Sequence, residues 1–377
     1  MAFVLTEEQV MLRDMAAQFF NEQVPVANLR ALRDKEDDRG YDPSVWQQAV
    51  ELGFAGILIP EAYGGTGFGP VGMGLVMEQA GRTLAATPLF ASSILSAGLI
   101  MELGDDAQKQ EFLPQIASGD LLMAVAIDEG NHHRPLGVQT RASEENGAFV
   151  LSGDKNFVLD GHIANKLLVV ARTSGQDGDT SGLSVFVVDP NASGVTITRT
   201  LMVDSRNAAQ IKFDNTPAEA ALGAVGHAFA GLEKVLDMAR IMISAEMLGG
   251  AESVFETTIE YLKERKQFGQ IIGSFQALQH RAAEMFCEVE IAQSVVLDAL
   301  SALEENRNDI ARSASLAKAR LCDASRLITN EGVQMHGGIG MTDAVDVGLY
   351  LKRARVQAQI FGDSTYHTDR YASLGSY

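Results

Sequence analysis

The sequence predicts an α+β fold with an N-terminal helical domain (1–122), a middle β domain (123–222) and a C-terminal helical bundle domain (223–377). Three observations predict it: helical spacing of apolar residues in the first region, short β-prone runs between turns in the second, and a sustained helical period in the third. The chain has 377 residues and is 46% apolar, which is enough for two or three domains with substantial cores.

The N-terminal region opens with a helix start signal. Thr6 is a typical N-cap, and Glu7 and Glu8 place negative charge in the first turn. Apolar residues follow at near-helical spacing, namely Val10, Leu12, Met15, Phe19 and Phe20. The glycine-rich segment 63–67 ends one helical stretch, and helical patterns then resume to about Leu113.

The middle region consists of short runs with high strand propensity, separated by turn signals. The runs are Met123–Ile127, Ala148–Leu151, Lys166–Ala171, Leu183–Val188, Val195–Thr198 and Gln210–Phe213. The segment 188–194, Val-Asp-Pro-Asn-Ala-Ser-Gly, has the composition of a loop. Several short strands at this spacing predict a β-sandwich or a β-barrel.

From about Gly226 the helical period returns and persists. Phe255, Ile259 and Leu262 are spaced by four and three residues, and one face of a longer helix follows. That face contains Leu278, Met285, Val289, Val296, Ala299 and Leu303. Helices of this length usually pack in antiparallel bundles and often take part in oligomer contacts.

Charge and apolar patterning exclude several classes of protein. The chain has 30 basic and 49 acidic residues, a formal net charge of -19, so no nucleic-acid partner is expected. No uninterrupted apolar run approaches the length of a membrane span. The N-terminus carries acidic residues where a signal peptide needs basic ones, and we therefore expect a cytoplasmic protein.

The cysteines and a histidine pair have structural interpretations. Cys287 and Cys322 lie in apolar, helical-looking runs, which predicts buried free thiols suited to a reducing compartment. His132 and His133 are adjacent and lack further ligands at metal-binding spacing. They predict an exposed loop, and we expect no metal site.

A basic and aromatic motif interrupts the C-terminal helical pattern. Arg265 and Lys266 stand at the end of one helix, the pattern stops at Phe268-Gly269, and it restarts at Phe275-Gln276. Basic residues are favoured at any helix C-terminus by the helix dipole. A cation and an aromatic ring beside a glycine break are also suited to a large anionic, aromatic cofactor, because arginine forms fork-shaped contacts with pyrophosphate.

A glycine-based motif, Gln334-Met-His-Gly337-Gly338, follows a later helical stretch. Paired glycines let backbone N–H groups approach ligand oxygens closely. The two motifs together resemble the flavin-binding signatures of the acyl-CoA dehydrogenase family, whose α–β–α domain order the whole chain shares. Segments 60–67, 113–120 and 236–240 are also similar to that family.

The resemblance implies FAD as cofactor, an acyl-CoA thioester as substrate and oxidation of its Cα–Cβ bond. In the family, one set of residues reaches across a subunit interface to the FAD that the neighbouring subunit mainly holds. The matching residues here are Arg265, Phe268, Gln276, Gln334, Gly337 and Gly338. The resemblance therefore also implies an oligomer with shared cofactor sites.

The family's glutamate base is missing from this sequence. That glutamate removes the α proton of the thioester and occupies one of two positions. At the position near the C-terminus stands Phe361 in an ungapped alignment, or Gly362 with one gap; at the other, before Arg240, stands Ala239. None of these can accept a proton.

Two nearby residues have alternative roles. Asp363 is the nearest acid, and it is either a displaced base or the N-cap of a helix that begins near Thr365. Arg240 either binds an anionic part of the CoA thioester or braces its helix.

The middle region also departs from the family's flavin-contacting segments. Glu129 keeps the glutamate of a Thr-Glu-Pro…Gly-Ser-Asp segment, but the Gly-Ser-Asp is absent. A Trp-Ile-Thr or Trp-Ile-Ser segment beside the flavin is replaced by Phe157-Val158-Leu159. Phe157 can still stack on a ring, whereas Leu159 has no hydroxyl to donate.

The pattern of retained and missing motifs resembles the base-lacking subunit of two-subunit bacterial enzymes of steroid side-chain catabolism. The ending Phe361-Gly362-Asp363 with His367 is similar to that group. The leading hypothesis is a subunit that completes the FAD site of a homologous partner in a hetero-oligomer. The alternatives are a self-sufficient dehydrogenase, in a homo-oligomer, that uses Asp363 or another acid, a flavin monooxygenase on the same scaffold, and a non-enzymatic stabilising subunit.

Overall fold

The structure is a computed structural model that describes residues 4–375. The chain divides into two compact units, which we call the helical unit and the sheet unit. The helical unit comprises residues 4–31, Pro70–Ala85 and 240–375, and the sheet unit comprises Leu32–Gly69 and Ala86–Ala239. The predicted α+β class is confirmed, whereas the boundaries after residues 122 and 222 stay a prediction.

The helices in chain order are α1 (Glu7–Gln23), α2 (Val26–Asp34), α3 (Pro43–Glu51), α4 (Pro70–Arg82), α5 (Ala97–Leu103), α6 (Asp106–Ala117), α7 (Phe229–Glu264), α8 (Gln276–Glu304), α9 (Ile310–His336), α10 (Val347–Gln359) and α11 (Ser364–Leu374). A π-helix, Leu89–Ser96, precedes α5.

The strands in chain order are β1 (Met123–Ala126), β2 (Arg141–Glu145), β3 (Ala148–Leu159), β4 (Lys166–Arg172), β5 (Leu183–Val188), β6 (Val195–Leu201), β7 (Asn207–Pro217), β8 (Ala220–Leu222), β9 (Lys266–Gln267) and β10 (Gln270–Ile271).

Helix α1 begins at the predicted cap. The Thr6 hydroxyl accepts the Gln9 N–H at 3.2 Å, and the Gln9 side chain accepts the Thr6 N–H at 3.0 Å, which forms a capping box. Leu12, Ala16 and Phe20 are buried on one face of α1, which packs on α4.

Helix α9 is the centre of the C-terminal bundle, because α8, α10 and α11 all pack against it. Arg281 of α8 is paired with Glu331 of α9, and Arg320 of α9 with Glu288 of α8. The predicted apolar face from Leu278 onward lies within α8.

The sheet unit contains one eight-stranded sheet with the order β6-β7-β3-β2-β4-β5-β8, and β1 pairs in parallel with β4. β3 is bulged twice against β7, and inward residues of β1, β3, β4, β5 and β7 share one apolar core. This arrangement around a common core confirms the predicted β domain.

Two local predictions are wrong. Cys322 is buried as expected, but Cys287 is exposed, because it occupies the outward face of α8 between the buried Met285 and Val289. His133 is only 7% exposed and lies with its Nδ1 2.9 Å from Asp128 Oδ2, so this part of the loop is anchored inward.

Within residues 4–375, no helix has both the length and the apolarity of a membrane span. Over the same residues, His, Cys, Asp and Glu side chains form no group suited to a metal ion.

Candidate functional site

The basic and aromatic motif forms a hairpin between two helices. α7 ends at Glu264, one residue before the predicted terminal Arg265, and α8 begins at Gln276, as predicted. In the hairpin, Gln267 of β9 pairs with Gln270 of β10. Phe268 and Gly269 form its turn with φ values of 53° and 78°, the positive signs that a tight type I′ turn requires.

Phe268 occupies an unusual position for an aromatic residue. A bulky side chain is disfavoured at positive φ, yet this ring is also 91% exposed. Its one ring contact within the described chain is an edge-on approach to Phe275, with 6.2 Å between centroids. Strained, exposed aromatic residues often belong to ligand or partner contacts.

Backbone hydrogen bonds hold Arg265 at the base of this hairpin. Its N–H donates to the Tyr261 carbonyl at 2.9 Å, and its carbonyl accepts the Ile272 N–H at 2.8 Å. The guanidinium group itself is exposed and has no hydrogen-bond or carboxylate partner among residues 4–375. Arg265 therefore has a fixed backbone and an available cation.

A ring stack joins the end of α7 to the end of α9. The Tyr261 and His336 rings are stacked with 4.3 Å between centroids, and the Tyr261 hydroxyl donates to the His336 carbonyl at 3.3 Å. His336 Nδ1 donates to the Gly332 carbonyl at 2.7 Å, which fixes the ring. This pair, which sequence analysis missed, brings Arg265 and Gly337 to neighbouring helix ends.

The end of α9 presents open backbone. Gly337 has φ 65° and ψ -139°, and a Cβ added to Gly337 or Gly338 meets nothing within 4 Å. Gly340, by contrast, is packed, with the Val333 carbonyl 2.6 Å from its Cβ direction. The space beside Gly337 and Gly338 is therefore free for a ligand.

We call the six predicted cofactor residues the interface set: Arg265, Phe268, Gln276, Gln334, Gly337 and Gly338. All six are exposed. They offer a guanidinium, two amides, an aromatic ring and unobstructed backbone at the ends of packed helices. This donor chemistry fits an anionic cofactor that also carries aromatic rings.

The base positions contain no acid in the structure either. Ala239 is fully buried in α7. Phe361 and Gly362 are both buried in the turn after α10. Asp363 is the N-cap of α11, and its Oδ1 accepts the Tyr366 N–H at 2.9 Å, which fits the capping alternative.

Arg240 lies beneath this turn. It is fully buried, its Nε donates to the Phe361 carbonyl at 3.3 Å, and its Nη2 lies 3.4 Å from the Tyr366 hydroxyl. These contacts fit the bracing alternative for Arg240, because its donors face the protein's own groups.

The carboxylate of Glu129 accepts hydrogen bonds from other residues of the sheet unit. Its carboxylate accepts the Lys155 ammonium at 2.7 Å and the backbone N–H groups of Thr140 at 3.0 Å and Gln139 at 2.6 Å. Burial acts to raise the pKa of Glu129, but the charge of Lys155 and these hydrogen bonds lower it overall. Glu129 is therefore an ionised structural group.

Phe157 and Leu159 lie at the end of β3. Phe157 is 41% exposed with φ 58°, so its ring remains available for stacking. Leu159 is half-buried and pairs with Ala208 of β7.

Three family models match consecutive parts of the chain. They are the acyl-CoA dehydrogenase N-terminal domain over residues 6–120, the middle domain over residues 127–216 and the C-terminal domain over residues 229–373. The chain belongs to the acyl-CoA dehydrogenase family. Members of this family are FAD-binding oxidoreductases that act on CH–CH donors, which confirms the predicted enzyme class.

Individual relatives cover nearly the whole chain. Probable acyl-CoA dehydrogenase YngJ of Bacillus subtilis is 31% identical over 98% of each chain. Acyl-CoA dehydrogenase IpdE2 of Mycobacterium tuberculosis is 32% identical over 94% of this chain and 93% of its own. Among solved structures, a single-residue variant of the Tcur3481-Tcur3483 steroid ACAD is 29% identical and covers 98% of both chains with a TM-score of 0.88.

Proposed function

We propose that this chain is the base-lacking subunit of a two-chain acyl-CoA dehydrogenase and that its interface set completes the FAD site of a homologous partner. One contrast carries the proposal. The residues that serve a neighbour's FAD are present and exposed, while both positions for the glutamate base lack a carboxylate.

The absence of a base limits what this chain can do alone. Removal of the α proton of a thioester requires a proton acceptor within reach of that carbon. Ala239, Phe361 and Gly362 cannot serve, and the carboxylate of Asp363 is occupied in capping α11. The partner is therefore expected to supply the glutamate.

The interface set has a distinct task. FAD, when bound, supplies the acceptor for the hydride that leaves Cβ of the substrate. Arg265 offers two parallel N–H donors to a pyrophosphate, and Gly337 and Gly338 let backbone N–H groups approach it. The Phe268 ring offers an apolar face, and Gln276 and Gln334 offer amides.

The chain is similar to a steroid ACAD whose name joins two chains, Tcur3481 and Tcur3483. This similarity supports both parts of the proposal. It favours a hetero-oligomer, and it favours a bulky, ring-bearing acyl-CoA as the substrate class in lipid or steroid catabolism. The second point rests on fold-level analogy.

The proposal is tested by purifying the chain alone and together with a homologous acyl-CoA dehydrogenase chain that has glutamate at a base position. FAD released per chain is measured by absorbance, and acyl-CoA oxidation by an artificial electron acceptor. We expect FAD and turnover only in the pair. Stoichiometric FAD with dehydrogenation by the lone chain contradicts the proposal, and oxygen-dependent hydroxylation would favour the monooxygenase alternative.

A further inference from the structure

The turn after α10 leaves no room for a side chain at Gly362. A Cβ added there would lie 2.4 Å from Tyr366 Cδ1 and 2.9 Å from His367 Nε2. Gly362 also has φ 106°, which L residues rarely adopt. Both rings would have to shift before any other residue could occupy this position.

His367 holds this turn through a defined hydrogen bond. The residue is fully buried, and its Nε2 lies 2.9 Å from the Phe361 carbonyl. Because a carbonyl only accepts, Nε2 carries the proton. Nδ1 is then the acceptor, 3.5 Å from the Ser315 hydroxyl.

Two further buried donors fix the Phe361 carbonyl and the carbonyl of the next residue, Gly362. Arg240 of α7 donates to the Phe361 carbonyl at 3.3 Å. Lys318 of α9 donates to the Gly362 carbonyl at 2.8 Å and is itself fully buried. The turn is therefore anchored by α7, α9 and α11, and its carbonyls have little freedom to rotate.

We propose that His367 is a positioning residue that, together with Tyr366, keeps position 362, one of the two alignments of the family's base position, closed to any side chain. This inference rests on the proposed function and deepens it, because the base is then excluded by the packing of the turn as well as missing from the sequence. A glutamate introduced at position 362 alone would displace the turn instead of creating a base.

The surroundings of His367 favour a neutral imidazole. Its charged and titratable neighbours come from three helices. They are Lys318 and Cys322 on α9, which are hydrogen-bonded to each other, Arg240 on α7, and Tyr366 and Arg370 on α11. Burial, reinforced by the charges of Lys318 and Arg240, lowers the pKa of His367 to about 2. The neutral ring is the form that donates from Nε2 and still accepts at Nδ1.

A matched pair of glycine variants separates the clash from the backbone strain. Gly178 has φ 92° and nothing within 4 Å of its Cβ direction, so Gly178→Ala adds strain alone. We expect Gly362→Ala to lower the melting temperature at least about twice as much as Gly178→Ala, because overpacking adds to the strain. Equal losses would overturn the inference.

A double-mutant cycle measures the share of the clash that comes from His367. We expect the loss caused by Gly362→Ala to shrink in a His367→Ala background, where one of the two blocking rings is gone and the Tyr366 ring remains. Additive losses would show that the two positions do not interact and would also overturn the inference. The cycle needs no flavin, partner or substrate, so its outcome is independent of whether the lone chain turns over acyl-CoA.

A pH profile tests the positioning role even if Gly362→Ala does not fold. His367 titrates near pH 6.5 when unfolded, so its contribution to stability is complete above about pH 6.5 and is lost as pH falls toward the folded value. His367→Gln keeps an N–H donor but does not titrate. We expect it to lose less stability than His367→Ala at neutral pH and to flatten the decline below about pH 6.5; an unchanged decline, or equal losses, contradicts the role.

Discussion

The ends of α7 and α9 and the turn after α10 use their polar groups in opposite ways. At the helix ends, the Arg265 guanidinium and the Gly337 backbone are exposed and available. In the turn, the carbonyls of Phe361 and Gly362 accept hydrogen bonds from buried donors. The first region leaves its polar groups open to solvent or to a ligand, and the second is closed around itself.

Physical chemistry predicts that these two regions respond differently to substitution. An exposed donor can exchange its partner for water at little cost, whereas a buried carbonyl that loses its donor costs about 1–3 kcal/mol. Changes at the helix ends should therefore alter cofactor binding and spare the fold, while changes in the turn should alter the fold first.

The largest effect is expected for Arg265→Gln in the two-chain complex. Loss of a charge-assisted, two-pronged contact should weaken FAD binding about 10- to 100-fold. The melting temperature of the isolated chain should not change. FAD titration by fluorescence quenching measures the first quantity and thermal unfolding the second.

Arg326→Gln is the matched control for this prediction, because Arg326 is an exposed arginine of α9 that pairs only loosely with Asp323 at 3.4 Å. Equal weakening of FAD binding by the control would remove Arg265 from the cofactor contact.

Next in size is the stability change of Arg240→Met. This substitution removes one hydrogen-bond donor from the Phe361 carbonyl and one partner from the Tyr366 hydroxyl. The loss should cost about 1–3 kcal/mol of unfolding free energy. Arg265→Met, the exposed counterpart, should stay within about 0.5 kcal/mol of the wild type. Urea denaturation of both variants checks the contrast, which fails if the two are alike.

Much of the local structure at the helix ends can be predicted from the sequence. The rest of the contrast depends on contacts between residues that are far apart in the chain. The helix ends at Glu264 and Gln276 follow from the Phe268-Gly269 break, and the Thr6 cap from its local pattern. Both are local signals that a single sequence contains. The Tyr261–His336 stack and the closed turn join separate helices and leave no such signal.

The strands show the same limit. β5 was predicted with its observed bounds because its six residues are uniformly apolar and buried. β3 extends beyond the predicted Leu151 because it continues to pair with β7. This part of the strand includes the charged residue Lys155, which is buried against Glu129, a partner 26 residues away. β2 was not predicted because four of its five residues are exposed. The three-residue β8 was not predicted either.

A smaller effect is expected at Asp363. Asp363→Ala removes the cap of α11 and should cost about 1 kcal/mol, whereas Asp363→Asn keeps a capping oxygen and should cost little. Neither should reduce turnover of the two-chain enzyme beyond its loss of folded protein. Loss of turnover in a folded Asp363→Asn variant would instead support the self-sufficient alternative.

The smallest effect is expected at Phe268, where one substitution should raise the stability of the chain and weaken its FAD binding. Asparagine tolerates positive φ better than phenylalanine, so Phe268→Asn should raise the stability of the isolated chain by about 0.5–1 kcal/mol. The same change should weaken FAD binding in the complex, because the exposed ring is lost. If Phe268→Asn changed stability and FAD binding in the same direction, the ring would serve the fold and not the cofactor.

The most direct measurement is an experimental structure of the chain bound to its homologous partner with FAD. We expect FAD seated mainly in the partner, with the Arg265 guanidinium of this chain within hydrogen-bond distance of its pyrophosphate and the partner's glutamate at the substrate. A flavin seated only in this chain, or a pyrophosphate without contact to Arg265, would contradict the proposed division of roles between the two chains.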